Sequence, residues 1–152
     1  SSAASDVYKR QPENYGPQAR ARLTTGMYIP ATSYLEALNL RSRVFDEFFR
    51  AVFEKADLLH VPTMPMVVPK IADTDRGDNP NFMDFVSRIT RCTRPFNYLG
   101  LPAIAMPTGL DTRGLPLGFQ LVARPFDEVT LLRTARSYER EVRPVQTGPK
   151  LI

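Results

Sequence analysis

Two residues of the chain carry the chemistry most often used to activate a nucleophile, and each occurs once: His60 and Cys92. A Ser-His-Asp or Cys-His relay encoded here would have to use that histidine. It sits between Leu59 and Val61 in an apolar run, where it reads as a core histidine. Cys92 stands near a helix end among Arg88, Arg91 and Arg94. Those cations would lower its pKa if it were exposed, yet a lone helical cysteine reads better as a small apolar core residue. One His and one Cys make no tetrahedral metal set, so no metal is expected.

Other reactive patterns are equally sparse. Asp73, Asp75 and Asp78 imitate part of a calcium loop, but their spacing is wrong and the closing glutamate is missing, so they read as a solvated turn. The lysines (Lys9, Lys55, Lys70, Lys150) are scattered, and none lies beside a pair of serines. The sequence has no G-x-S-x-G elbow, phosphate-cradling loop or dinucleotide fingerprint. It holds no self-contained catalytic apparatus, and no cofactor is expected.

Composition narrows the class. The 152 residues are 43% hydrophobic and 24% charged, which suits one globular domain. The net charge of +4 comes largely from arginines spread along the whole chain, a solvated basic surface rather than a nucleic-acid face. No apolar run is long enough to cross a bilayer, and one cysteine fits a reducing, cytoplasmic setting. The first residue is Ser, so the chain is expected to begin inside something longer. Residues 1–11, "SSAASDVYKRQ", have no apolar period and read as a non-native linker.

The elements that would position any site follow from spacing. Residues 12–29 are punctuated by Gly16, Pro17 and Gly26 and read as a loop-rich lead-in with at most a short helix. From 30 onward the chain reads as one continuous domain. Ser33 and Glu36 form a capping box, and Leu35, Leu38, Phe45, Phe49 and Val52 recur at helical spacing, predicting a helix over 33–56. "DLLHVP" (57–62) reads as a buried strand closed by proline, and "PTMPMVVPK" as extended, irregular chain. Asn79 and Pro80 mark a helix start, Phe82, Phe85, Val86 and Ile89 its stripe, and Pro95 its end. "AIAMP" (103–107) and "GFQLVA" (118–123) read as buried strands. A last helix is capped by Asp127, with Leu131, Ala135, Tyr138 and Val142 on one face and Pro144 stopping it. The order predicts an α/β layer whose small sheet has an exposed edge.

Several motifs, in order, resemble one family. "FDEFFRAVFEKADLLHVPTMP", "TRPFNYLGLPAIAMPTG" and "GLPLGFQLVARPFDEVTLLRTARSYE" are similar to the C-terminal half of the amidase signature enzymes, over about residues 30–143. The resemblance implies the C-terminal part of one large mixed β-sheet flanked by helices, in a hydrolase that cleaves a carboxylic amide C–N bond. In that family a lysine, a cis-bonded serine and a nucleophilic serine react, with backbone N–H groups holding the oxyanion. All lie in the N-terminal half, so no catalytic residue is carried over to this chain.

What the chain contributes under this resemblance is stiffness. Pro95, Pro102, Pro107 and Pro116 fix backbone angles, and the glycines between them permit tight turns. The turn from Thr90 to Asn97 is expected to approach a small-molecule amide substrate, with Thr93, Phe96 and Asn97 lining the pocket. Equally, Thr93 and Asn97 could serve only backbone groups, and Phe96 the core. The A subunits of glutamine-dependent aminoacyl-tRNA amidotransferases, members of the same superfamily, carry an aspartate five residues before the motif proline, where this chain has Thr90. That departure favours a stand-alone amidase, acting without nucleic acid or membrane and with a homodimer left open, over the amidotransferase component. A non-catalytic α/β binding module is the reading from another class.

Overall fold

The structure, a computed structural model, describes residues 14–74 and 81–142. The opening eleven residues, Asp75, Asp78, Asn79, Pro80 and Pro144 lie outside the described residues. The chain divides into two compact units, 1–42 and 43–152.

In the first unit, α1 (Pro17–Met27) is a helix where the turn residues read as mostly loop. Pro17 stands in its first turn, where a missing N–H costs nothing, so the proline opens the helix. Thr25 satisfies its hydroxyl by donating to the carbonyl of Ala21 at 2.9 Å. Helix α2 (Ala31–Val52) begins in this unit and ends in the second. It starts two residues before Ser33, so the Ser33–Glu36 capping box falls inside the helix. The amide of Tyr34 already donates to the carbonyl of Pro30 at 3.2 Å. Its upper stripe, with Leu35 and Leu38, is exposed.

The second unit is built on a three-stranded sheet of order β1-β3-β2, with β1 (Leu58–Pro62), β2 (Ala103–Leu110) and β3 (Pro116–Ala123). Both pairings are antiparallel: Leu59 faces Val122, and Met106 faces Phe119. The α/β class expected from the element order holds. Beside the strands lie the single turn α3 (Ile71–Thr74), α4 (Phe82–Ile89), α5 (Arg94–Leu99) and α6 (Glu128–Val142).

Because β3 is central and covered on both faces, Phe119 to Ala123 form an unbroken buried run rather than an alternating one. Side chains still alternate in direction. Phe119, Leu121 and Ala123 pack with Met106 and with Leu131 and Ala135 of α6. Val122 faces the other way, into Phe53, Phe96, Leu99 and Leu101, with Phe45, Phe48 and Phe49 of α2 around them. Phe53 is 1% exposed at the centre of this second cluster; its truncation to alanine would cost about 3–5 kcal/mol.

The two outer strands are wetter than their apolar sequences suggest. β1 is half-buried and His60 is exposed, which corrects its reading as a core histidine. It occupies an edge strand, and its ring lies 4.5 Å from that of Phe119. In β2 only Met106 is buried. Pro95 is the other correction. It does not stop α4, which already ends at Ile89, but stands in the first turn of α5. Gly100 closes α5 at φ 72°, a left-handed conformation that a glycine adopts without strain. Asp127 caps α6 as expected: its carboxylate accepts the Thr130 hydroxyl at 2.6 Å and the Thr130 amide at 3.3 Å.

Candidate functional site

The turn that carries Thr93, Phe96 and Asn97 is locked by its own threonines. The Thr90 hydroxyl donates to the carbonyl of Val86 at 2.7 Å, and the Thr93 hydroxyl to that of Thr90 at 3.1 Å. The Thr90 carbonyl also takes the Arg94 amide at 3.1 Å. The bend from α4 into α5 is therefore pinned at its carbonyls before any ligand arrives. Phe96 points into the core and meets the Phe48 ring at 6.2 Å, edge to face. Asn97, by contrast, is exposed on α5. The three expected residues thus take three roles: Thr93 holds backbone, Phe96 fills the core, and Asn97 presents an amide to the outside.

A second segment is brought beside this turn by one buried side chain. Gln120, 4% exposed, donates from Nε2 to the carbonyl of Cys92 at 2.8 Å and to that of Pro62 at 3.2 Å. It thereby ties the 90–97 turn and the 62–70 strap to the central strand. The strap is fixed again at Gly118, whose carbonyl accepts the Thr63 amide at 3.3 Å. Its far end is held by Arg113, whose Nη2 donates to the Val68 carbonyl at 2.8 Å. Arg113 is itself oriented by Asp111 in the β2–β3 turn, at 2.7 Å.

Asp111 accepts the amides of Leu115 and Arg113 at 2.9 and 2.8 Å. The Leu115 amide first, and the Arg113 side chain after it, hold its carboxyl below the ordinary value of 3.8 against the opposing effect of desolvation. Between strap and hairpin lies a cleft of about 390 Å³, lined by Thr63, Met64, Met66 and residues of β2 and β3. None of Thr93, Phe96 and Asn97 lines it.

Sequence reasoning does not single out Gln120, Arg113 or the methionines. A signal exists for the glutamine: an amide inside the apolar run "GFQLVA" must find partners if the strand is buried. His60 and Cys92 form no relay with each other in this arrangement. His60 packs against Phe119 with the two rings tilted by 41°, while Cys92 is half-buried and contributes its carbonyl to Gln120. Among the described residues no three His, Cys, Asp or Glu side chains gather as a metal site, and no helix is long and apolar enough to cross a membrane. Of the turn's three expected residues, only Asn97 leaves a polar side chain exposed.

The Amidase family model matches residues 2–132. The chain is 36% identical over 144 residues to the A subunit of the glutamyl-tRNA(Gln) amidotransferase of Moorella thermoacetica, covering 91% of this chain and 28% of that protein. It is 34% identical over 138 residues to AmiD of Mycobacterium bovis, named as a candidate amidase, again covering 91% and 28%. Among solved structures an amidase superimposes with a TM-score of 0.73 at 24% identity, covering 90% of this chain and 31% of that one. The A subunit of the glutamyl-tRNA(Gln) amidotransferase of Thermotoga maritima does so with a TM-score of 0.59 at 27% identity, covering 87% and 29%. The chain thus spans about 28% of the length of these curated relatives. Fold and sequence point the same way, and the chain belongs to the Amidase family.

Proposed function

We propose that this chain is the C-terminal framework of a stand-alone amidase, which cleaves a small carboxylic amide with a lysine, a cis-bonded serine and a nucleophilic serine encoded ahead of it. The family match along 2–132 carries this reading. In it, Asn97 reaches the substrate from α5, while Thr93 and Phe96 hold the turn that positions it. The enzyme works in the cytoplasm without nucleic acid, alone or as a homodimer.

An amidotransferase component is the second reading, favoured by the names of several relatives. It would bring tRNA and partner subunits. Thr90 weighs against it: the side chain has no carboxylate to pair with a substrate ammonium group, and its hydroxyl is spent on Val86. Steady-state assays of the complete polypeptide separate the two. The first reading expects neutral amides to be turned over with higher kcat/KM than glutamine, and Thr90→Asp to narrow that gap. Glutamine-dependent conversion of glutamyl-tRNA(Gln) would establish the second reading instead.

A further inference from the structure

Helix α5 is held to the sheet from one face of one strand, by an apolar residue and a polar one. Val122 and Gln120 lie two positions apart on β3, so their side chains leave the same face. Val122 is fully buried and packs with Phe96 and Leu99 of α5. Contact of this kind is non-directional: it fixes how deep the helix lies and leaves it free to slide or turn over the sheet. A hydrogen bond weakens steeply away from its preferred distance and angle, so Gln120 supplies the constraint that Val122 lacks.

Both partners of the Gln120 side chain are carbonyl oxygens, that of Cys92 at 2.8 Å and that of Pro62 at 3.2 Å. Only the amide nitrogen, with its two hydrogens, can serve them. The one NH2 group therefore sets the turn against the strap as well as against β3. The Thr90 and Thr93 hydroxyls bond only to carbonyls four and three residues back, which shapes the turn without placing it on the sheet. Asn97 belongs to the same segment: its amide donates to the Thr93 carbonyl at 3.3 Å.

We infer that Gln120 is a positioning residue for the amide substrate, resting on the function proposed above, in which Asn97 meets that substrate. Its carboxamide sets the place of the 90–97 turn and, through the turn, the place of the Asn97 side chain. Gln120 is 4% exposed and acts from beneath the turn. Without it α5 keeps its depth on Val122 and loses its register, so substrate binding suffers in addition to stability.

A double-mutant cycle in the complete polypeptide tests this, read as steady-state kcat and KM for a neutral amide. Gln120→Met keeps the length of the side chain and removes both donors. It is expected to raise KM about tenfold and leave kcat within about twofold. Asn97→Ala alone should raise KM at least as much. In the Asn97→Ala background, Gln120→Met should raise KM by less than about twofold, since the group it positions is gone. Equal losses in the two backgrounds would overturn the inference, as would an unchanged KM in either single variant. If Gln120→Met does not fold, Gln120→Glu takes its place: the new carboxyl donates only when protonated, so its KM relative to the wild type should fall with falling pH. A ratio independent of pH would overturn the inference. A wild-type polypeptide that turns over no amide defeats the proposed function instead. The placing of Asn97 is then read from ¹⁵N spectra. Its side-chain amide resonances should move in the folded Gln120 variant while those of Asn39 stay, and unmoved Asn97 resonances would overturn the inference.

Discussion

Nε2 of Gln120 donates to the carbonyl oxygen of Cys92 at 2.8 Å, from a strand 28 positions further along the chain. The same nitrogen reaches Pro62, 58 positions back, at 3.2 Å. One buried amide therefore fixes two irregular segments that no regular hydrogen-bond ladder could hold. Replacing it with leucine keeps the volume and leaves both carbonyls unpaired. Gln120→Leu is expected to lower stability by about 2 kcal/mol in urea unfolding. It should also speed hydrogen exchange at the Asn97 amide. Unchanged exchange there would show that the 90–97 turn holds itself.

Arg124 offers a contrast between two kinds of charged contact. Its Nη2 donates to the Phe53 carbonyl at 2.8 Å, just past the end of α2, and lies 3.3 Å from Asp57 Oδ1. The carbonyl contact joins a cation to the negative end of a helix, whereas the Asp57 side chain is 82% exposed and screened by water. Arg124→Met is expected to cost about 1–2 kcal/mol. Asp57→Asn should fall within about 0.5 kcal/mol of zero. Thermal melts of the two variants in low and high salt check the order.

Asp111 gives the fold an acid sensitivity of known sign. Its folded carboxyl is held below the ordinary 3.8, chiefly by the Leu115 amide, so the stability it contributes is present above that value. That contribution is lost as pH falls below 3.8 through the lower folded value. The β2–β3 turn and the Arg113 contact to Val68 should loosen together in that range. Asp111→Asn should remove this part of the acid transition, as read by circular dichroism melts across about pH 2 to 5, a window set by ordinary carboxylate values of about 4.

Phe126 lies at φ 64° and is 93% exposed. A bulky side chain in the left-handed region is strained, and here no burial offsets it. Phe126→Gly is expected to raise stability by about 0.5–1 kcal/mol, the relief of strain exceeding the added freedom of the unfolded chain. A loss of stability would mean that the exposed ring makes a contact in solution.

Much of this fold is legible in local sequence, and the misreadings share a cause. The apolar period of α2 and the Asp127 cap of α6 depend on neighbours a few residues away, and both are readable. Pro95 misleads because proline both ends one helix and begins another, and the run Arg94–Leu99 is too short to show a period. His60 reads as core because Leu59 and Val61 are apolar. Its exposure follows from β1 being an edge strand, which depends on pairing with residues about sixty positions away. Gln120 belongs with these: its partners lie in two distant segments, so the sequence marks the need for hydrogen bonds and not their destination. In the candidate site the 90–97 turn is legible as a segment. The distinct roles of Thr93, Phe96 and Asn97 require the packing of α5 on α2 and β3.

On the function proposed above, this chain supplies framework and positioning, and the bond-breaking groups are encoded ahead of it. The most direct measurement is ammonia release from a panel of neutral carboxylic amides, by the purified 152-residue chain and by the complete polypeptide at equal concentration. Saturable turnover is expected from the complete polypeptide and none above background from the chain alone. Saturable turnover by the isolated chain, removed by a serine-directed inhibitor, would contradict that function.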